Sequence, residues 1–335
     1  MRAPAFWSNP PDTPGAMARA LAPLGRLYAL ATARRVAKGP AGGVAVPVIC
    51  VGNLTAGGAG KTPTVIVLAE RLAARGIAAH VVSRGYGGTF RGPVRVDPAR
   101  HVASETGDEP LLLSAFAPTW VARDRLAGAR AAVAAGAGAI LLDDGFQDPA
   151  LARDAAILVA DAMAGFGNGL CIPAGPLREP VAAGLARADL LLTLGDPAEQ
   201  AAFGRLWGAG RGLPRAEGAL VPLQTGMDWQ GLRAFAFAGI GRPEKFFASL
   251  RALGAEVVRA EALDDHAALP PSLMRRFAAE ARAMGAQLVT TEKDAVRLSP
   301  ALREGVLVLP VRLRLADWGP VDRVLERAMG TKGRG

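Results

Sequence analysis

Cysteine and histidine are nearly missing from this chain, with two and three copies in 335 residues. Cys50 and Cys171 stand far apart without zinc-ligand spacing, so a structural zinc site has almost no candidate ligands. The cysteine usage suits a reducing compartment. Aromatic residues make up only 5%. With no Arg/Lys-rich helix interleaved with stacking residues and no zinc-finger spacing, nucleic-acid binding is disfavoured. No stretch approaches the ~20 consecutive apolar residues that cross a bilayer. The start of the chain carries no apolar signal-peptide core, because Pro4, Pro10, Pro11 and Pro14 interrupt it. The expected location is therefore the cytoplasmic side.

What is present describes a globular protein. Hydrophobic residues make up 50% and charged residues 21%, which excludes a disordered or fibrous chain, and 335 residues suffice for two ordinary domains. The formal net charge of +9 points to an anionic partner, such as an anionic membrane surface or a phosphorylated substrate.

Residues 1–40 read as a separate segment. After the Pro-rich start, residues 16–38 have helical spacing. Met17, Leu21, Leu24 and Tyr28 share one face, Arg19 and Arg26 lie opposite, and Arg34, Arg35 and Lys38 close the segment. An interfacial membrane helix and a helix packed on the protein's own core both fit, and Pro23 is a candidate break. From Val44 onward short apolar runs alternate with helical stretches, which predicts an α/β fold with a mainly parallel sheet covered on both faces. The expected strands include Val46–Val51, Ile77–Ser83, Ala139–Leu142, Ala156–Ala160 and Leu190–Leu194. Residues 195–230, rich in Gly, Pro and polar residues, read as a boundary. The expected domains are thus 41–225, with a phosphate-binding loop, and a smaller α/β unit at 226–335, whose last strand is Val306–Leu315.

The sharpest local signal is Thr55-Ala56-Gly57-Gly58-Ala59-Gly60-Lys61-Thr62, between a predicted strand and a predicted helix. This is the context of a P-loop: glycines let backbone N–H groups turn inward around phosphate oxygens, and the helix start adds positive potential. Lys61 would reach the β/γ-phosphates and the Thr62 hydroxyl would ligate Mg²⁺. The first position, usually Gly, is here Thr55. An apolar strand at 139–142 ends in Asp143 and Asp144, as the metal-binding strand of such a site requires. Which of the two faces the metal is not decided by the sequence. Ser83-Arg84-Gly85-Tyr86-Gly87-Gly88, Gly107-Asp108-Glu109-Pro110 and His266 are weaker signals at expected strand ends. In Thr291-Glu292-Lys293-Asp294 the lysine and aspartate are adjacent, so the Lys-x-Asp spacing that reads guanine fails.

Taken in order, these strings resemble the tetraacyldisaccharide 4'-kinase family. The matches run from Val51-Gly-Asn-Leu-Thr through Gly60-Lys-Thr-Pro63, then SRGYGG at 83–88, GDEP at 107–110 and DDGFQ at 143–147. GFGNG at 165–169, PAGPLREP at 173–180, Asp265-His266 and TTEKDAV at 290–296 complete the series. The resemblance implies two α/β domains with the site between them, and ATP and Mg²⁺ as cofactors. It further implies transfer of the γ-phosphate to the 4'-hydroxyl of a tetraacylated disaccharide 1-phosphate, giving lipid IVA. The reaction would occur at the cytoplasmic face of a bacterial inner membrane, by a peripheral or monotopic protein. No obligate protein partner is implied. Carried over by position, Asp108, His266 and Lys61 are catalytic, and residues 55–62 hold nucleotide. Thr62, Asp143, Asp144, Glu109 and Gln147 surround the metal, and Arg84, Tyr86, Arg125 and Asn168 meet substrate. Two positions depart from the family pattern: Asp148 and Ala267 stand where histidines are usual. The competing reading is a P-loop NTPase of the metal-chaperone or switch type, for which no base-recognition element is evident. A nucleotide-binding scaffold without turnover would leave Asp108 and His266 without a role.

Overall fold

The computed structural model describes residues 3–208 and 212–332. Apolar runs without alternation suit strands that are covered on both faces, and Val48–Gly52, Ala79–Ser83, Ala139–Asp143 and Leu190–Leu194 are buried at every position. In chain order the strands are β1 (Val48–Gly52), β2 (Ala79–Ser83), β3 (Val94–Arg95), β4 (Thr119–Val121), β5 (Ala139–Asp143) and β6 (Ala155–Asp161). Then follow β7 (Leu190–Leu194), β8 (Arg215–Pro222), β9 (Arg233–Ala238), β10 (Glu256–Ala262), β11 (Gln287–Thr291), β12 (Val306–Leu309) and β13 (Val311–Leu315). They form a nine-stranded sheet ordered β13-β8-β7-β6-β1-β5-β2-β4-β3 and a four-stranded sheet ordered β10-β9-β11-β12. Pairing is parallel except at β13–β8 and β3–β4.

Alternate side chains of a strand serve opposite layers. In β1, Ile49 and Val51 pack with Val65, Leu68 and Leu72 of the helix Lys61–Ala73 and with Leu325 of the helix Gly319–Lys332. Val48 and Cys50 face the other layer, with Leu126 and Ala129 of the helix Arg125–Ala134. The smaller sheet repeats the plan. Ala236 meets Phe247 and Leu250 of the helix Pro243–Ala252, while Phe235 and Phe237 meet Phe277 of the helix Pro271–Ala283.

One expectation about organisation is corrected. The run 306–315 is not one strand. Pro310, which has no N–H to donate, separates β12 in the small sheet from β13, which pairs antiparallel with β8 at the edge of the large one. The smaller unit therefore spans about 229–309, and the chain end returns to the first domain, where Leu313, Val321, Val324, Leu325 and Ala328 bury into its core. The stretch 195–230, read as a boundary, carries two ordered elements before the small sheet begins. Asp196 and Glu199 form a capping box that starts the helix Pro197–Trp207, and β8 inserts between β7 and β13.

The N-terminal helix Ala16–Val36 runs through Pro23 without a break. Its buried face is made of the small residues Ala18, Gly25 and Thr32. Met17, Leu24, Leu27, Tyr28 and Leu30 are exposed. The helix thus docks on the protein through small side chains and presents its large apolar ones outward. No helix among the described residues is long and apolar enough to cross a membrane.

Candidate active site

Ligand sites in parallel sheets gather beyond the C-terminal ends of the strands, and here β1 leads directly into the glycine loop. Gly60 adopts φ +91°, and a Cβ there would lie 2.2 Å from Leu194 Cδ1, so only glycine admits both the turn and the close approach. The buried Asn53 ties the loop from within. Its side-chain nitrogen donates to the carbonyls of Thr55 (2.9 Å) and Gly57 (3.3 Å), and its oxygen accepts from Lys61 Nζ at 3.3 Å. The segment 173–180 braces the outside, with Ala56 N–H donating to the Pro176 carbonyl at 2.7 Å. Lys61 begins the helix and lies 3.7 Å from Asp144 Oδ1.

Asp143 ends β5 inside the protein. Burial, then the negative fields of Glu109 and Asp144, push its carboxyl up to about 7. Its Oδ2 accepts from Ser83 Oγ at 3.1 Å, whereas its Oδ1 is buried without a hydrogen-bond partner among the described residues. Burial would also raise Asp144, but Lys61, Arg178 and Arg125 outweigh it and hold that carboxylate below its ordinary range. Arg178 Nη1 grips both Asp144 oxygens at 2.8 and 3.0 Å. Among the described residues, the only two non-glycine residues with positive φ are Asp144 (53°) and His266 (59°). Both residues thus hold the sparsely populated left-handed backbone conformation.

Gly107, at φ +89°, opens the short helix Asp108–Leu113 and directs Asp108 into the cleft. Across the cleft, His266 Nδ1 meets Asp108 Oδ2 at 2.9 Å. Burial alone would raise Asp108, but the His266 hydrogen bond and the charges of Lys293, His266 and Arg297 outweigh it, so its carboxyl sits below the usual range. The hydrogen bond to Asp108 in turn raises His266 against burial and Lys293. Lys293 Nζ lies 3.3 Å from both Glu109 Oε1 and His266 Nε2. A cavity of about 510 Å³ between the two units takes in Gly58, Lys61, Thr62, Glu109 and Lys293. It reaches from the phosphate loop to Glu109, which follows Asp108 in sequence, and to Lys293, which lies against His266.

The family model described as Tetraacyldisaccharide-1-P 4'-kinase matches residues 17–330. The chain belongs to this family. A protein of Dinoroseobacter shibae named tetraacyldisaccharide 4'-kinase is 66% identical, over 99% of this chain and 97% of its own length. One of the same name from Jannaschia sp. is 56% identical, over 98% of this chain and 100% of its own. The crystal structure of LpxK from Aquifex aeolicus in complex with ATP superposes with a TM-score of 0.73 at 25% identity, covering 94% of this chain and 100% of that one.

Not every residue expected at the 4'-kinase site lines the cleft. Arg84 is exposed on the loop after β2, and the exposed Tyr86 sets its ring 5.8 Å from that of His266. Both are free to meet a substrate. Arg125 and Asn168 are not: Arg125 is buried against Asp148 and the Asp144 carbonyl, and Asn168 is buried between the carbonyls of Phe6 and Ala174. Their polar groups serve the scaffold, Arg125 by holding the strained Asp144 turn. Asp148 is thereby the ion partner of Arg125. Gln147 donates to the Asn53 carbonyl at 2.9 Å and to Glu179 at 3.0 Å, bracing Asn53. Asn53, Arg178, Lys293 and Arg297 were not expected as site residues, although all but Arg297 lie within the quoted strings. Only their side-chain partners reveal them.

Asp143 provides a test that needs no substrate. A carboxyl raised from 3.8 to about 7 takes up a proton on folding between those values. Its contribution to stability is fully present below about pH 4 and is lost as pH rises through 7. Asp143→Asn removes that titration, so the variant's melting temperature should gain on the native protein's between pH 5 and pH 8 without nucleotide. An offset that stays constant over this range would show that Asp143 is an ordinary carboxylate.

Proposed function

We propose that the protein transfers the γ-phosphate of ATP to the 4'-hydroxyl of a tetraacylated glucosamine disaccharide 1-phosphate. The observation that carries this reading is a cavity running from a glycine loop and its lysine to Glu109 and Lys293, the neighbours of a carboxylate–imidazole pair contributed from two domains. A nucleotide switch needs the first part only. A kinase needs both, because the acceptor hydroxyl must be placed and lose a proton.

Mg²⁺ fits the residues present. Among the described residues Asp143 Oδ1 is a buried oxygen without a partner, in the negative field of Glu109 and Asp144. No three His, Cys, Asp or Glu side chains converge into a complete cage among the described residues. That suits an ion that keeps water and takes phosphate oxygens from the nucleotide. Thr62, Asp143, Asp144 and Glu109 would hold it, and it would neutralise charge on the β- and γ-phosphates. The chain's own groups do the rest. The loop N–H groups and Lys61 orient and neutralise the phosphates, Asp108 accepts the hydroxyl proton, and closure of the smaller unit excludes water.

The acceptor is an anionic lipid, and the N-terminal helix supports work at an anionic membrane surface, on the cytoplasmic side. Its exposed Leu24 and Leu27 lie near Arg26, Arg34 and Arg35 in sequence. Each basic residue adds about 1 kcal/mol near such a surface. Replacing Leu24 and Leu27 by Asp should lower binding to anionic vesicles by roughly tenfold or more per leucine. Thermal stability should hold, since both are exposed. Equal sedimentation of the variant and the native protein with vesicles would remove the helix from the membrane contact. The reaction itself is tested with radiolabelled ATP, with and without the lipid disaccharide. Label in the lipid is the expected result; phosphate release without lipid labelling would establish an NTPase instead.

A further inference from the structure

Lys293 is absorbed by none of the roles above, yet it sits at the centre of the cleft. It follows β11 in the short helix Glu292–Ala295, and its side chain is only one-fifth exposed. Three groups face its ammonium: Glu109 Oε1 at 3.3 Å, His266 Nε2 at 3.3 Å and Asp265 Oδ1 at 3.6 Å.

An ammonium has three donors and no acceptor. In the neutral ring, an imidazole nitrogen hydrogen-bonded to that ammonium accepts, so Nε2 carries no proton. The ring's hydrogen then sits on Nδ1, 2.9 Å from Asp108 Oδ2. Asp265 Oδ1, the other group facing Nε2, is 3.8 Å away and closer to Lys293 than to the ring. We propose that Lys293 is a positioning residue that fixes His266 as the Nδ1–H tautomer, so that the imidazole donates to Asp108 and cannot itself take the substrate's proton. This rests on the reading of Asp108 as the base and sharpens it. The proton of the acceptor hydroxyl goes to a carboxylate oxygen, and His266 orients that carboxylate. The arrangement follows the logic of an acid–histidine pair with the roles of acid and histidine exchanged.

The other two histidines make the inference measurable. His80 Nδ1 accepts from Trp120 Nε1 at 3.3 Å, and His101 Nδ1 accepts from the Asp97 N–H at 3.0 Å. When neutral, both rings must carry their hydrogen on Nε2. His266 should therefore be the one histidine of the three with the opposite tautomer. The experiment is nitrogen NMR of the full-length protein labelled with ¹⁵N-histidine at pH 8, with His266→Gln for assignment, alongside steady-state kinetics. The expected native spectrum has one Nδ1–H ring, and it belongs to His266. Lys293→Met should convert it to the Nε2–H form or a mixture and lower kcat roughly 10–100-fold, with little change in KM for ATP. Lys293→Arg, which keeps a donor-only group, should retain the native tautomer and a larger share of kcat. A proton on Nε2 of His266 in the native protein would overturn the proposal, and this reading needs no variant to fold. A Lys293→Met protein that loses rate with its tautomer unchanged would also overturn it, leaving Lys293 as a tether between the domains. Neither outcome bears on Asp108 as base, which is tested separately below.

Discussion

Asp108→Ala and His266→Ala are each expected to lower kcat by roughly 10²–10⁴-fold, the usual range for loss of a positioned acid–base group. The double variant should cost little more than the worse single one, because members of one unit are not additive. The two side chains come from different domains and meet at 2.9 Å, so each is useful only while the other holds it. Asp108 is held below the ordinary carboxylate range, which makes it a weak base at rest. In phosphoryl transfer this is tolerable, because the transition state is loose and the main task is to orient the hydroxyl. The proton moves as the oxygen's bond to phosphorus forms. Binding of ATP, followed separately, should change little, since neither residue lies in the phosphate loop. Losses that multiply in the double variant would show two independent groups, and an active Asp108→Ala protein would remove the base assignment.

Lys61→Ala is expected to lower turnover by at least about 10²–10³-fold, as removal of a preorganised charge from a transition state does. The fold should survive. Lys61 heads its helix rather than filling a core, and Asp144, its neighbour at 3.7 Å, keeps Arg178 Nη1 on both of its oxygens. Asn53 loses one partner but keeps its bonds to the loop carbonyls. The check is kcat at saturating ATP together with far-UV circular dichroism and thermal melting. A folded Lys61→Ala protein with near-native turnover would show that this lysine does not meet the transferring phosphate.

The sequence by itself determined the P-loop, the acidic strand end and the parallel sheet. Each is a local pattern: a glycine loop between a strand and a helix, an apolar run closing on carboxylates, and short apolar stretches alternating with helical ones. Backbone preference and burial dictate these over a few residues, so they survive reading in one dimension. Tertiary structure alone decided three further matters. The run 306–315 looked like one strand because the first half is apolar and the second alternates apolar residues with Arg312 and Arg314, but their pairing partners lie far apart in sequence, at β11 and β8. Arg125 and Asn168 were expected at the substrate from the resemblance alone; only the folded chain shows their buried partners in the scaffold. Lys293 looked like a failed guanine motif, because its meaning lies in Glu109 and His266, 184 and 27 residues away. A side chain's chemistry is set by what surrounds it in space. Where those neighbours come from distant segments, only the folded chain brings them together.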